Sequence, residues 1–353
     1  MKRRLVAVVV VVVGALAACT SASRAPCNPG GDGTYVDATY DDLARYCVVA
    51  IQDGDVVPLS ARVIPYEVST PLFSDYATKR RTVWMPPGGK ASYSETEVFD
   101  FPSGTILTKS FGFPRDPAQA NGPIRWMETR VLVRGSAGWS AVSYLWNDAQ
   151  TTAKKQPGGT VRAMDVRALD GSVQHAEYLV PSEQQCPKCH VKDDMPVVPI
   201  GPRAGALRDQ LRRWTDADIL AGVPATPAVP FPAWDDRTIP VNMRARAYLD
   251  GNCAYCHNPK GEARTTGLFL TFDETDPTRI GRCKPPVAAG GATANLRFDV
   301  VPGQPDASIL LHRMLATEPA IAMPEIGRSV VHTEAVDLVR AWIAGMSGDC
   351  SGK

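Results

Sequence analysis

Two short segments of this chain, Cys186-Pro187-Lys188-Cys189-His190 and Cys253-Ala254-Tyr255-Cys256-His257, follow one pattern: Cys, two residues, Cys, then His. Whatever fold forms must present two thiols and one imidazole together at each place. Haem c makes that demand. Its two vinyl groups take up two thiols, which must sit at a fixed separation on one face of a turn, and the next residue must set an imidazole under the iron. The pattern predicts two covalently bound haem c groups, with His190 and His257 as the proximal iron ligands. Zinc is the first competitor, but paired C-x-x-C in a zinc ribbon has about 15–20 residues between the pairs, far fewer than separate Cys189 from Cys253. A thioredoxin-like redox pair needs a βαβ context, and none is legible here.

The N-terminus reads as an export signal. Lys2, Arg3 and Arg4 precede an uninterrupted apolar run from Leu5 to Ala18, too short to span a bilayer comfortably. The run ends in Leu16-Ala17-Ala18-Cys19, which resembles a bacterial lipobox. That resemblance implies cleavage before Cys19, lipidation of its thiol, and a periplasm-facing body tethered to a membrane. Thr20, rather than Asp, follows the lipid cysteine, which by analogy with lipoprotein sorting favours the outer membrane of the cell envelope. Removing residues 1–18 takes away three positive charges and no negative ones, so the formal net charge moves from +1 to −2. That balance gives no reason to expect a nucleic-acid partner, which needs a strongly basic face.

Export also informs the cysteines. Of nine, Cys19 goes to lipid and four to the two motifs, which leaves Cys27, Cys47, Cys283 and Cys350. An even remainder in an oxidising compartment predicts two disulfides with three possible connectivities. Cys27–Cys47 and Cys283–Cys350 are favoured, because each pair then lies inside one expected domain.

Residues 19–33 are small, polar and Gly/Pro-rich, and read as a flexible tether. From 34 to 185 the signals are mostly β. "ETRVLVRGSAGWSAVSYLW" predicts two strands around a glycine-containing turn, and "VRAMDVRALDGSVQHAEYLV" has Asp170-Gly171 at its centre, a strong hairpin signal. "SETEVFDFPSGTILTKSF" predicts two shorter strands broken at Pro102-Ser103-Gly104. Residues 186–222 hold the first motif and a short helix on which Leu207, Leu211 and Trp214 recur at helical spacing. Residues 223–240 form a Pro-rich linker with Pro224, Pro227, Pro230 and Pro232. Residues 241–353 read as more helical. A helix runs into the second motif, a second starts near Asp306 as N-cap, and a third carries the stripe Val336, Val339, Ile343 and Met346 with Thr333 as N-cap.

A buried haem iron usually takes a sixth ligand. For the second motif Met323 is the leading candidate, because Pro324 keeps it out of helical conformation and a thioether raises the potential; Met314 is its rival, and a core methionine is the alternative reading. For the first motif Met195 is a poor candidate, since five extended residues reach at most ~17 Å. His175, Met164 and Met243 remain, with His175 equally readable as a surface strand histidine. Trp84, Trp126, Trp139 and Trp146 could form a stacking face on the β-domain, or simply its core.

"TPLFSDYATKRRTVWMPPG", "YLWNDAQTTA", "YLVPSEQQCPKCH", "RARAYLDGNCAYCHNPKGEA" and "MPEIGRSVVHTEAVDLVRAWI" together resemble a little-characterised family of exported dihaem c-type cytochromes, some encoded beside a secreted parallel β-helix protein. The C-terminal half is also similar to a small class I cytochrome c module, with Cys253, Cys256, His257 and Met323 in its ligand positions. The resemblance implies haem at both motifs. The expected architecture is α+β and multidomain, an N-terminal all-β sandwich or barrel-like domain followed by a C-terminal mainly α-helical cytochrome c domain. The expected function is envelope electron transfer with a redox partner protein. A dihaem peroxidase-like enzyme with an open first haem, or a β-domain binding module with accessory haems, are the alternatives.

Overall fold

β-branched and aromatic residues at alternate positions build the first half of the chain into strands. The computed structural model describes residues 27–193, 195–207, 210–287 and 290–351; the signal segment and Cys19 lie outside them. The strands are β1 (Val49–Gln52), β2 (Asp55–Pro58), β3 (Ile64–Pro65), β4 (Thr78–Trp84), β5 (Ala91–Ser92), β6 (Ile106–Pro114), β7 (Ile124–Arg134), β8 (Trp139–Trp146), β9 (Ala153–Lys155), β10 (Thr160–Arg167), β11 (Val173–Val180) and β12 (Leu220–Ala221). Six form an open antiparallel sheet in the order β3-β4-β6-β7-β8-β9. β1–β2 and β10–β11 are antiparallel ribbons, and β12 runs parallel to β5.

The turns follow from local chemistry. Gly171, between β10 and β11, has φ +91°, which an L side chain rarely adopts. Gly112 sits at a register shift between β6 and β7, where a Cβ would come within 2.5 Å of Ile124. Upstream of Pro102 the expected strand does not form. Val98 and Asp100 make only single bridges, to Arg203 and Ser92, and Pro102 lacks the N–H a ladder needs.

One face of the sheet carries Trp84, Ile106, Val131 and Tyr144 against Tyr40 and Tyr46 near the N-terminus. The other face is divided. At one end Val83, Leu107 and Leu132 pack around Trp214, and at the other Phe111, Phe113 and Met127 pack under Tyr178.

Among the described residues the α-helices are α1 (Cys186–His190), α2 (Ala204–Leu207), α3 (Gln210–Asp216), α4 (Val241–Asn252), α5 (Ile309–Leu315) and α6 (Thr333–Ala344). They are six small helices, and with the short 3-10 turns counted helix is only about 21%, the rest mostly sheet and loop, so the expected mainly α-helical C-terminal cytochrome c domain is not what forms. The large sheet ends at β3 and β9 and does not close into a barrel. Between α4 and α5, Pro259, Pro277, Pro285, Pro286, Pro302 and Pro305 interrupt any helical run, and the stretch carries only short 3-10 turns. The apolar stripe of α6 is buried as its spacing predicts, at Val336, Val339 and Ile343. The caps differ. Ser308 and His332 precede α5 and α6 in place of Asp306 and Thr333, and Asp306 pairs with Arg340 at 2.6 Å.

The two halves interlock. Asp75 accepts backbone N–H bonds from Ser329 at 2.7 Å and Val330 at 3.1 Å. Phe73 stacks on His332 with centroids 4.1 Å apart and donates its N–H to Asn252. Residues 223–240 run across the body: Phe231 N–H bonds Gly205 O, and Trp234 joins the core around α4 and α6. Residues 27–33, expected as tether, are fastened by the Cys27–Cys47 pair and by Gly30 N–H to Tyr46 O.

Candidate functional site

The first motif is α1 itself. A capping box of Ser182 and Gln185 ends the chain leaving β11, and Pro187 sits in the first turn, where its missing N–H costs nothing. The second motif is the C-terminal continuation of α4: Cys253 N–H bonds Leu249 O and His257 N–H bonds Cys253 O. The imidazoles are held alike. His190 Nδ1 donates to Val198 O at 2.6 Å and His257 Nδ1 to Leu268 O at 3.3 Å. A carbonyl can only accept, so Nδ1 carries the proton and Nε2 is left bare, the arrangement that metal-ligating histidines use. Burial pushes both rings down to about 4, which keeps them neutral at physiological pH.

Each motif faces a large cavity. Cys253, Cys256 and His257 line one of about 1170 Å³, counted to its open mouth, with Leu268, Leu310, Met314 and Met323. Cys186, Cys189 and His190 line another of about 1440 Å³, whose far wall is the divided face of the sheet. Among the described residues no three His, Cys, Asp or Glu side chains converge to cage a bare ion. Two thiols and one imidazole on the wall of so large a space fit a macrocycle that brings its own nitrogen ligands to the iron.

The motifs, far apart in sequence, are neighbours in space. Cys189, Tyr255 and Ile326 line both cavities. The Cys256 thiol reaches Lys188 O at 3.2 Å and bonds the Cys189 thiol. Glu97, on the loop between β5 and β6, takes Lys192 and Lys260 at 2.7 Å each, one from beyond each motif. Comparison with family models, curated proteins and solved structures finds no match. The chemistry of the site therefore rests on its own residues.

Environment separates the thiols. Burial pushes Cys253 up to about 12, whereas the bond from Cys256 holds Cys189 below the ordinary thiol range. The pairs Cys27–Cys47 and Cys283–Cys350 stand at disulfide distance, with Cα separations of 5.5 and 5.3 Å.

Met323 and Met314 both line the second cavity, but Met314 is packed into the core at 6% exposure while Met323 keeps part of its surface open to it. The bond before Pro324 is cis. Arg328 fixes this loop, donating to Met323 O at 2.8 Å and to the Met314 and Ala316 carbonyls at the end of α5. In the first cavity the structure corrects the sequence reading. His175 lies on the outer side of the β10–β11 ribbon, 67% exposed and paired with Asp165 at 3.1 Å. Met164 packs near Tyr178, and Met195 and Met243 are exposed; none of these four lines the cavity. The tryptophans make no stacking face: Trp84 and Trp126 are buried on one side of the sheet with Trp146 packed against them, and Trp139 lies on the other.

Sequence reasoning missed Glu97, Arg328 and three cations of the first cavity wall, Arg81, Lys109 and Arg130. Burial, with Arg81, Lys79 and Arg130 close by, holds the Lys109 amine well below its ordinary range. Their signal is strand register, which pairs Arg81 with Lys109 and Lys109 with Arg130.

Proposed function

We propose that this chain is a dihaem c-type electron-transfer protein of the bacterial envelope, anchored by lipid at Cys19 and facing the periplasm. The observation that carries the reading is the juxtaposition of the two C-x-x-C-H motifs, with Cys189 on the wall of both cavities. A covalently bound haem at each motif would supply a one-electron iron couple. The residues of the chain do the rest. Cys186 and Cys189, and Cys253 and Cys256, would fix the two groups side by side. His190 and His257 would each offer Nε2, oriented by a backbone carbonyl. Met323, held by Arg328, would close the second site with a thioether. Leu268, Leu270 and Leu310 give that site an apolar lining. The open mouths of both cavities leave room for a redox partner protein to dock near the groups.

One observation favours a second reading, a redox enzyme. The lining of the first cavity includes no methionine and no histidine other than His190 among the described residues, so neither residue type would supply a second ligand to a group held there.

Optical spectra of the purified protein, with and without carbon monoxide, test between the two. A carrier shows two low-spin haems, neither of which binds carbon monoxide. A high-spin, carbon monoxide-binding haem that persists in Met323→Ala would overturn the carrier reading in favour of the enzyme.

A further inference from the structure

The wall of the first cavity opposite α1 carries a row of cations at its centre. Arg81 on β4, Lys109 on β6 and Arg130 on β7 stand directly opposite one another across three adjacent strands, so all three side chains leave the same face. Like charges placed directly opposite are destabilising. The face around them is apolar, with Leu107 and Leu132 on one side and Phe111 on the other. Their compensation within the chain is partial. Arg130 forms a two-point pair with Glu128, at 2.6 and 3.0 Å, and that carboxylate is further occupied by Tyr178. Lys109 sits over the Phe111 ring, 4.8 Å from its nitrogen. Among the described residues neither the Arg81 nor the Lys109 side chain makes a hydrogen bond or a contact ion pair; Glu67 and Glu128 act on them only from a distance. The carboxylate that does line the cavity, Asp250, is taken by Arg203.

A row of half-buried basic side chains on a cavity wall, short of anions, is a site for one. We propose that Arg81, Lys109 and Arg130 form an oxyanion-binding site on the sheet wall of the first cavity. The oxyanion is either the propionate carboxylates of a porphyrin held at Cys186 and Cys189 or a small free oxyanion that enters the cavity. The first source rests on the haem reading above; the second does not. Two forked guanidiniums flanking an amine suit planar or tetrahedral oxyanions, because each fork can meet two oxygens at once.

The test uses full-length protein purified from a host able to attach haem. Wild type, Arg81→Gln, Lys109→Gln and Lys109→Arg are titrated with inorganic phosphate by calorimetry. Resonance Raman spectra of the same samples read the propionate bending modes, and intact mass counts the porphyrins. If the row holds propionates, both Gln variants shift those modes, Lys109→Arg restores them, and phosphate does not bind. If it holds a free oxyanion, wild type binds phosphate, both Gln variants weaken binding at least tenfold, and Lys109→Arg recovers most of it. Unmoved modes with no phosphate binding, or with binding that both Gln variants leave unchanged, would overturn the site. A protein whose mass shows no porphyrin but whose phosphate binding needs Lys109 would keep the site and remove the haem reading.

Discussion

Single residues set what each motif can bind. A backbone carbonyl takes the Nδ1 proton of His190 and of His257, and burial keeps both rings neutral, so each presents one bare nitrogen. These residues were legible from spacing alone, because thioether chemistry fixes the spacing. Sixth-ligand candidates carry no spacing rule: Pro324 put Met323 first from the sequence, and the structure leaves Met323 on the second cavity while placing His175 outside the first. Met323→Ala should lower the reduction potential of the second haem, as losing a thioether does, while Met314→Leu should leave it nearly unchanged; spectroelectrochemical titration of both variants decides, and the opposite pattern would exchange their roles. His332 sets a pH dependence. Burial first, then Lys79 and Arg328, push it down from 6.5 to about 3. The unfolded chain takes up a proton near pH 6.5 that folded His332 refuses until about pH 3. Stability present above pH 6.5 is therefore lost as pH falls through that window, by at most about 1.4 kcal/mol per unit. His332→Gln should flatten that part of the curve of urea midpoint against pH; an unchanged slope would clear His332 of the effect.

Among the elements, those with a strong local signal were readable. The Asp170-Gly171 hairpin, the β7–β8 pair and the α6 stripe all form where alternation or helical spacing placed them. Alternation tells which residues share a face but not which face is inside. Nothing in the sequence separates Arg81, Lys109 and Arg130 from ordinary solvated charges, and only register lines them up on the wall of a cavity. Like charges directly opposite one another on adjacent strands destabilise the sheet. The three helices expected after residue 241 form, but the proline-broken stretch between α4 and α5 carries only short 3-10 turns, which is why the expected mainly α-helical domain fails. α4 is pinned by Leu249, which is fully buried against the core it shares with α6. Leu249→Ala should destabilise the fold by about 2–5 kcal/mol in chemical denaturation, and a loss below about 1 kcal/mol would mean that α4 does not anchor the second motif.

Over the whole molecule, contacts distant in sequence make the site. Asp75, Glu97 and Asn252 tie segments that no local pattern connects, and the neighbouring motifs are their product. The Cys283–Cys350 pair closes a chain segment with a sequence separation of 67 behind the second cavity. Replacing both with Ser should cost about 2–5 kcal/mol in non-reducing denaturation, and reductant, which also opens Cys27–Cys47, should cost wild type at least as much; a variant as stable as wild type would show that the pair is not bonded in solution. The central claim is that both motifs carry covalent haem. Intact mass spectrometry of the purified protein, with pyridine haemochrome spectra of the same sample, measures this directly. The account predicts two porphyrins per chain, falling to one in Cys186→Ser with Cys189→Ser and to one in Cys253→Ser with Cys256→Ser. The bare mass of the processed chain, from a host that loads other c-type proteins, would contradict it.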